Sequence, residues 1–284
     1  MMVELKNEKV TAKFNTLGAE AVGVNAFGKE RSWQNDNGSW AGHAPVLFPY
    51  AGLFEVIADG VSYDRPRHGF ARKSEFEIAE KTDSSVTFML KYNERTLADY
   101  PYKFILYVTY TLDGGRIDIT YKVENADDKR IYFACGGHDS FNTFGSLDGY
   151  KLVFEKEETF DNLLLDGEGR RTGGSENIGK GKILDIPCKL LENSATVVFG
   201  NVKSRKVTLY NPKGEKCVEV GFKDYSNLLL WHSDGSEMIC IEPWSNLPDN
   251  VNEKGRDISL KEGVFAVEKG CAREVKRYVE YFEI

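Results

Sequence analysis

Short segments in which apolar and polar residues alternate recur from one end of the chain to the other. VTAKFNT (10–16), EFEIAE (75–80), SVTFMLKYN (85–93), FILYVTYTL (104–112) and RIDITYKVEN (116–125) carry the period of two expected of a half-buried strand. ATVVFG (195–200), KVTLYN (206–211), KCVEVGF (216–222), NLLLWHS (227–233), MICIEPW (238–244), GVFAVEKG (263–270) and EVKRYVEYFEI (274–284) predict further strands. Turn chemistry separates them. LDGGR (112–116) predicts a hairpin and NPKGE (211–215) a Pro-Gly turn. Only NERTLADY (93–100) predicts a helix, too short to anchor an architecture. Strands do not alternate with long helices, which argues against a parallel α/β sheet. The expectation is an all-β fold, a large antiparallel β-sandwich with few short helices, in one domain spanning 1–284. The glycine-rich stretch DGEGRRTGGSENIGKGK (166–182) predicts an internal surface loop, because strands of one character flank it on both sides.

Composition narrows the partners. At 284 residues, with 41% hydrophobic and 29% charged side chains, the chain can bury a substantial core. Aromatics reach 12%, which suits many strands and a surface for ring-shaped ligands. A net charge of -7 and the absence of a basic stripe argue against nucleic acid. No apolar run approaches the roughly 18 residues of a membrane span, and MMVELKNEKV lacks an apolar signal core. The expectation is a cytoplasmic protein without a membrane partner. Five cysteines (Cys135, Cys188, Cys217, Cys240, Cys271) lack CxxC spacing, so buried free thiols are expected rather than disulfides or structural zinc.

Three stretches concentrate residues able to do chemistry. PRHGFAR (66–72) holds His68 and Arg72, CGGHDSFN (135–142) holds His138, and CIEPWSNLPD (240–249) holds Glu242. Glu242 ends an apolar strand just before Pro243, where regular pairing is expected to stop. An acid, a base and a cation are what proton transfer near neutral pH requires. Other constellations fit less well. No HxH or HxD spacing supports an iron site, no G-x-S-x-G elbow a serine hydrolase, and no GxGxxG or P-loop a nucleotide site. His43 and His232 read as structural or loop residues.

Taken together, these stretches resemble the aldose 1-epimerase (mutarotase) family, in particular its LacX-like branch. The matching text also includes APVLFPYAG (44–52), VKSRKVTL (202–209) and LLLWHS (228–233), in the family's order. The resemblance implies the galactose mutarotase-like supersandwich and a cofactor-independent interconversion of α and β anomers of a free aldohexose, of the galactose or glucose type. It implies His138 and Glu242 as acid and base, and His68 as a hydrogen-bond partner of the ring oxygen. Arg72 would bind or orient the sugar and Trp231 would line the pocket, whereas Arg67 stands where the family often has a neutral residue and is a candidate substrate-binding cation of this chain's own. No metal or organic cofactor is implied. The expected partner is a small-molecule sugar, bound by a monomer or homodimer.

Two departures bear on the substrate. Leu53 stands where the family resemblance leads one to expect an arginine, and Ser194 stands at an acidic position. Two further readings stay open, the second of them motivated by these departures. One is a hexose-6-phosphate mutarotase, with Arg65, Arg67 and Arg72 supplying the cationic clamp. The other is a non-catalytic sugar-binding protein on the same fold.

Overall fold

The computed structural model describes residues 1–63 and 66–284 of the chain. Among these, thirteen strands form one antiparallel sheet. Its order begins with Asp139–Asn142 at one edge and runs through Met238–Trp244, Asn227–Trp231, Thr196–Phe199, Tyr150–Leu165, Lys206–Tyr210 and Lys216–Gly221. It continues through Ala272–Tyr281, Arg116–Asn125, Phe104–Asp113 and Ser85–Lys91 to Glu77–Lys81 at the other edge. Every strand anticipated from alternation is present, although Phe265–Val267 is short and pairs with Ile131–Phe133 outside the large sheet.

The alternation is legible because it is physically realised. Residues of Phe104–Asp113 and Arg116–Asn125 take turns being buried and half-exposed, and the two strands pair from Asp113↔Arg116 outward. A second sheet of Met2–Lys6, Val10–Asn15, Glu20–Ala26 and Lys29–Glu30 covers this part of the first. There the Phe14 and Tyr110 rings lie 4.4 Å apart, and the Tyr110 hydroxyl donates to the Ala19 carbonyl at 2.7 Å. One buried apolar cluster includes Val3, Phe14, Phe88, Leu152, Val220, Ile241 and Tyr281, so both sheets close over a continuous core. The helix Glu94–Asp99 is brief but well capped, with Asn93 and Thr96 bonding each other's backbone N–H groups.

The glycine-rich stretch corrects the sequence expectation. Only residues around 166–170 turn, whereas Arg171–Ile186 is a strand paired with Tyr150–Leu165. Three register shifts interrupt that pair, and Gly173, Gly179 and Gly181 adopt positive φ along it. Bulges interrupt the period of two, which the first strand keeps only in parts, and most of the second strand is exposed and shows no clean alternation. The cysteines also differ in part. All five are free, and Cys135, Cys217 and Cys240 are buried, but Cys188 is half-buried and Cys271 exposed. No helix among the described residues is long and apolar enough to cross a membrane.

Candidate functional site

Backbone pairing outside the regular strands brings the three chemical stretches together. Phe48 bridges Gly69, Leu47 bridges Gly136, and Gly136 in turn bridges Trp244. The APVLFP segment is thus the seam that joins HGFAR to GGHD, and GGHD to the end of the EPW strand. Gly69 is required by contact as well as by angle. Its φ is +69°, and a Cβ there would lie 2.2 Å from the Phe48 carbonyl oxygen. Gly136 and Gly137 are equally confined, with Trp244 against the first and the Arg277 guanidinium 2.5 Å from where a Cβ of the second would be.

The strand Met238–Trp244 is wholly buried and sorts its residues by parity. Ile239 and Ile241 join the main core, while Cys240, Glu242 and Trp244 point to the other face. The expected stop at Pro243 is only an interruption of the regular ladder, and on one flank. Pairing with Asp139–Asn142 ends at Ile241, but pairing with Asn227–Trp231 continues through Pro243 to Trp244. Beyond that interruption the same register resumes on the first flank: the Gly137 N–H donates to the Pro243 carbonyl at 3.0 Å and Gly136 bridges Trp244, which sets Glu242 opposite His138.

All six residues singled out in the sequence (His68, His138, Glu242, Arg67, Arg72 and Trp231) line one cavity of about 240 Å³. His138 Nε2 lies 3.4 Å from Glu242 Oε2. The His68 and His138 rings meet edge to face at 5.5 Å. His68 has φ +68°, an uncommon conformation that histidine tolerates better than most residues. Its backbone N–H donates to the Gly52 carbonyl at 2.9 Å, and its Nδ1 accepts from the Gly52 N–H at 3.0 Å. Because Nδ1 accepts, the neutral ring carries its proton on Nε2 and can donate it.

Burial governs the electrostatics. It pushes His138 down to about 3, with the Arg72 cation acting in the same direction. It also holds His68 well below the ordinary histidine value, again assisted by His138 and Arg72. It pushes Glu242 well above the ordinary carboxylate value, and nearby Asp139 adds to that effect. Burial thus works against both the imidazolium and the carboxylate. Among the described residues, Glu242 Oε2 and His138 Nδ1 have no hydrogen-bond partner, so a charge on either group would be poorly compensated.

Several contributors were not singled out from sequence. Trp40 stacks on His138 at 5.1 Å, and its carbonyl accepts from Trp33 Nε1 at 2.8 Å. Trp244 stands edge-on to His68 at 5.3 Å. Asn246 fixes the Ala51 backbone by donating to its carbonyl and accepting from its N–H. Beneath His138, the neighbouring Asp139 accepts from Arg277 Nη1 in a buried ion pair. No local motif marks these residues, since Arg277 comes from a strand 138 positions away.

The departures have definite places. Half-buried Leu53 forms part of the cavity rim. The Ser194 carbonyl accepts from Trp231 Nε1 at 3.0 Å, which anchors that indole. Arg67 is exposed and donates from Nη2 to the Glu168 carbonyl, while Arg72 Nε is buried without a partner. Arg65 lies outside the described residues.

His138, Cys240 and Glu242 present donor atoms within 4.8 Å of one another, a spacing that could hold a metal ion. Burial raises both the Cys240 thiol and the Glu242 carboxyl.

The site is thus a small, indole-walled cavity on a β-sandwich, with two imidazoles and a carboxyl group converging on it. A sequence profile described as aldose 1-epimerase matches residues 1–265, and the chain belongs to that family. It is 37% identical over 277 residues to the chromosomal LacX protein of Lactococcus lactis subsp. lactis, covering 89% of this chain and 90% of that one. Its fold is similar to a galactose mutarotase-like protein from Lactobacillus casei, with TM-score 0.92 and 30% identity over 99% of this chain and 100% of the other. A galactose mutarotase related enzyme from Lactobacillus acidophilus gives TM-score 0.87 and 26% identity over 100% and 98% of the two chains. The family and fold support a sugar epimerase or mutarotase function.

Proposed function

We propose that the chain is a mutarotase that interconverts the α and β anomers of a free aldohexose by acid–base ring opening. The observation that carries this reading is the convergence of His68, His138 and Glu242 on one cavity of about 240 Å³. That is below the roughly 300–1,000 Å³ of a typical small-molecule site, and suits a single pyranose ring. The indoles of Trp40, Trp231 and Trp244 supply flat apolar walls for the C–H faces of the ring.

One proton shared by His138 and Glu242 suffices for the chemistry. Bound sugar supplies hydrogen bonds that let the pair pass from acid and imidazole to carboxylate and imidazolium, with no change in proton count. Glu242 then takes the proton of the anomeric hydroxyl while His138 delivers one to the ring oxygen. The C1–O5 bond breaks, its electron pair goes to O5, and C1=O1 forms. The residues are left as carboxylic acid and imidazole, the state that burial favours. Rotation about C1–C2 and reclosure on the other face reverse the proton transfers. His68 Nε2–H stabilises charge developing on the ring oxygen. Each acid–base contribution is typically about 10²–10⁴-fold, and positioning adds to it.

The test is polarimetry of freshly dissolved α-D-galactose and α-D-glucose. Wild type should accelerate the relaxation of optical rotation, and Glu242→Gln and His138→Asn should abolish the acceleration. Variants as active as wild type would overturn the assignment.

A second reading, a hexose 6-phosphate substrate, rests on Arg67 and Arg72. Both line the cavity, and among the described residues neither forms an ion pair with a carboxylate. Rates on glucose and glucose 6-phosphate separate the two. A preference for the phosphate that disappears in Arg67→Ala would favour the second.

A further inference from the structure

Ring opening leaves one buried nucleophile beside the catalytic pair unused. Cys240 lies two residues before Glu242 on the strand Met238–Trp244, so both side chains leave it by the same face. His138 reaches that face from the neighbouring GGHD stretch, and its Nε2 stands 3.4 Å from Glu242 Oε2. The imidazole, the thiol and the carboxyl group bring one donor atom each within 4.8 Å of one another. Among the described residues, this is the one cluster of histidine, cysteine and acidic side chains with such a spacing.

The distances approach those of a tetrahedral ion. Zinc bonds of about 2.0–2.3 Å set N, O and S donors about 3.3–3.6 Å apart at tetrahedral angles. The imidazole and carboxyl group already stand at that separation. The widest gap in the trio is at most 4.8 Å, which leaves about 1 Å to close. The trio also holds an unsatisfied acceptor: Glu242 is 2% exposed, and its Oε2 has no hydrogen-bond partner among the described residues. His138 and Glu242 line the cavity, so an arriving ion meets them first, while Cys240 sits behind them with Trp33 and Met238.

Charge and softness select the ion. Arg67 and Arg72 face the same cavity, and the Asp139–Arg277 pair beneath His138 is neutral as a whole, so the surroundings do not attract a bare divalent cation. Such a cation adds no net charge only if Cys240 and Glu242 each give a proton to solvent, because thiolate and carboxylate together offset its two positive charges. A thiolate, an imidazole and a carboxylate suit zinc, whereas magnesium and calcium take oxygen donors. We propose that His138, Cys240 and Glu242 form an inhibitory site for zinc and similar thiophilic divalent ions, with water or a sugar hydroxyl as the fourth donor from the cavity. The bound ion takes up the imidazole lone pair and the carboxylate oxygen that ring opening needs for proton transfer. The inhibition rests on the mutarotase reading, but the binding does not.

The test uses Co²⁺ and Zn²⁺ as probes. Co²⁺ added to metal-free wild type should raise a thiolate charge-transfer band in the near ultraviolet and the visible bands of a tetrahedral ion, and Zn²⁺ should bleach both. Calorimetry of Zn²⁺ binding in two buffers of different ionisation enthalpy should show about two protons released per ion. Cys240→Ser and Cys240→Ala should lose the charge-transfer band, which separates this thiol from exposed Cys271 and half-buried Cys188. Losing an outer partner of a metal ligand typically costs roughly 10–100-fold in affinity, so either variant should bind Zn²⁺ at least about tenfold more weakly. Its mutarotation, measured against its own metal-free rate, should survive Zn²⁺ concentrations that halt wild type, and Mg²⁺ should slow neither protein. The proposal is overturned if wild type gives no charge-transfer band, if the band survives in Cys240→Ser, or if Zn²⁺ inhibits wild type and variant at the same concentration. If no sugar's mutarotation is accelerated but the Cys240-dependent band and the proton release persist, the mutarotase reading fails and the metal site stands.

Discussion

Replacing His138 with asparagine tests the buried pair through folding stability, independently of turnover. The imidazole titrates at about 6.5 in an unfolded chain and is pushed by burial to about 3 in the folded one. Between those values the unfolded chain holds a proton that the folded chain does not, so acid favours unfolding. Each pH unit below 6.5 costs wild type about 1.4 kcal/mol on this account. Moving from pH 7 to pH 5 crosses about 1.5 units of that window, an expected loss of about 2 kcal/mol that asparagine does not share. Urea unfolding of both proteins at pH 7 and pH 5 reads the difference directly, since the other titrating groups are common to the two. The stability of His138→Asn relative to wild type should therefore rise by about 2 kcal/mol on acidification. A constant difference would refute the neutral imidazole. A difference of opposite sign would mean that the Glu242 carboxylate holds a protonated His138 in the resting fold, with the histidine raised above 6.5 instead of lowered.

Glu242 gives the mirror case: its folded value is raised by burial, so its contribution is present below the ordinary carboxylate range and lost as pH rises. Glu242→Gln should thus gain on wild type by about 1.4 kcal/mol per unit above pH 4.5, up to the folded value, in the same urea series. Arg277→Met strands a buried Asp139 carboxylate and should cost about 3–5 kcal/mol, most of it recovered in the double variant with Asp139→Asn. A double variant no more stable than the single one would show that the ion pair is not the cause. Gly69→Ala meets both a positive φ and the Phe48 carbonyl, and should lower stability by about 3 kcal/mol or more; an unchanged thermal midpoint would contradict the close approach.

Much of the large sheet could be read from the chain because its strands are half-buried: in Arg116–Asn125 every second residue is buried, and the sequence alternates accordingly. Tyr150–Leu165 and Arg171–Ile186 could not, because bulges shift the register and solvent reaches both faces of much of the second strand. His68, Arg72, His138 and Glu242 were legible as titratable groups in stretches where glycine or proline constrains the backbone, whereas Trp231 came only from the family resemblance. Trp40, Trp244, Asp139 and Arg277 were not, since an indole or an ion pair looks ordinary in sequence until its neighbour is known.

Local patterning thus determined the strand-rich class, the hairpin turns and the stretches that carry the chemistry, because side-chain periodicity and turn preferences act over a few residues. Tertiary structure decided that Leu47, Phe48, Gly69, Gly136 and Trp244 form one seam, and that His138 and Glu242 face each other across it. It also decided their protonation. PRHGFAR supplies an imidazole at a strained turn, but the charge that imidazole carries depends on the water excluded by residues distant in the chain, and desolvation is a property of the packed site alone.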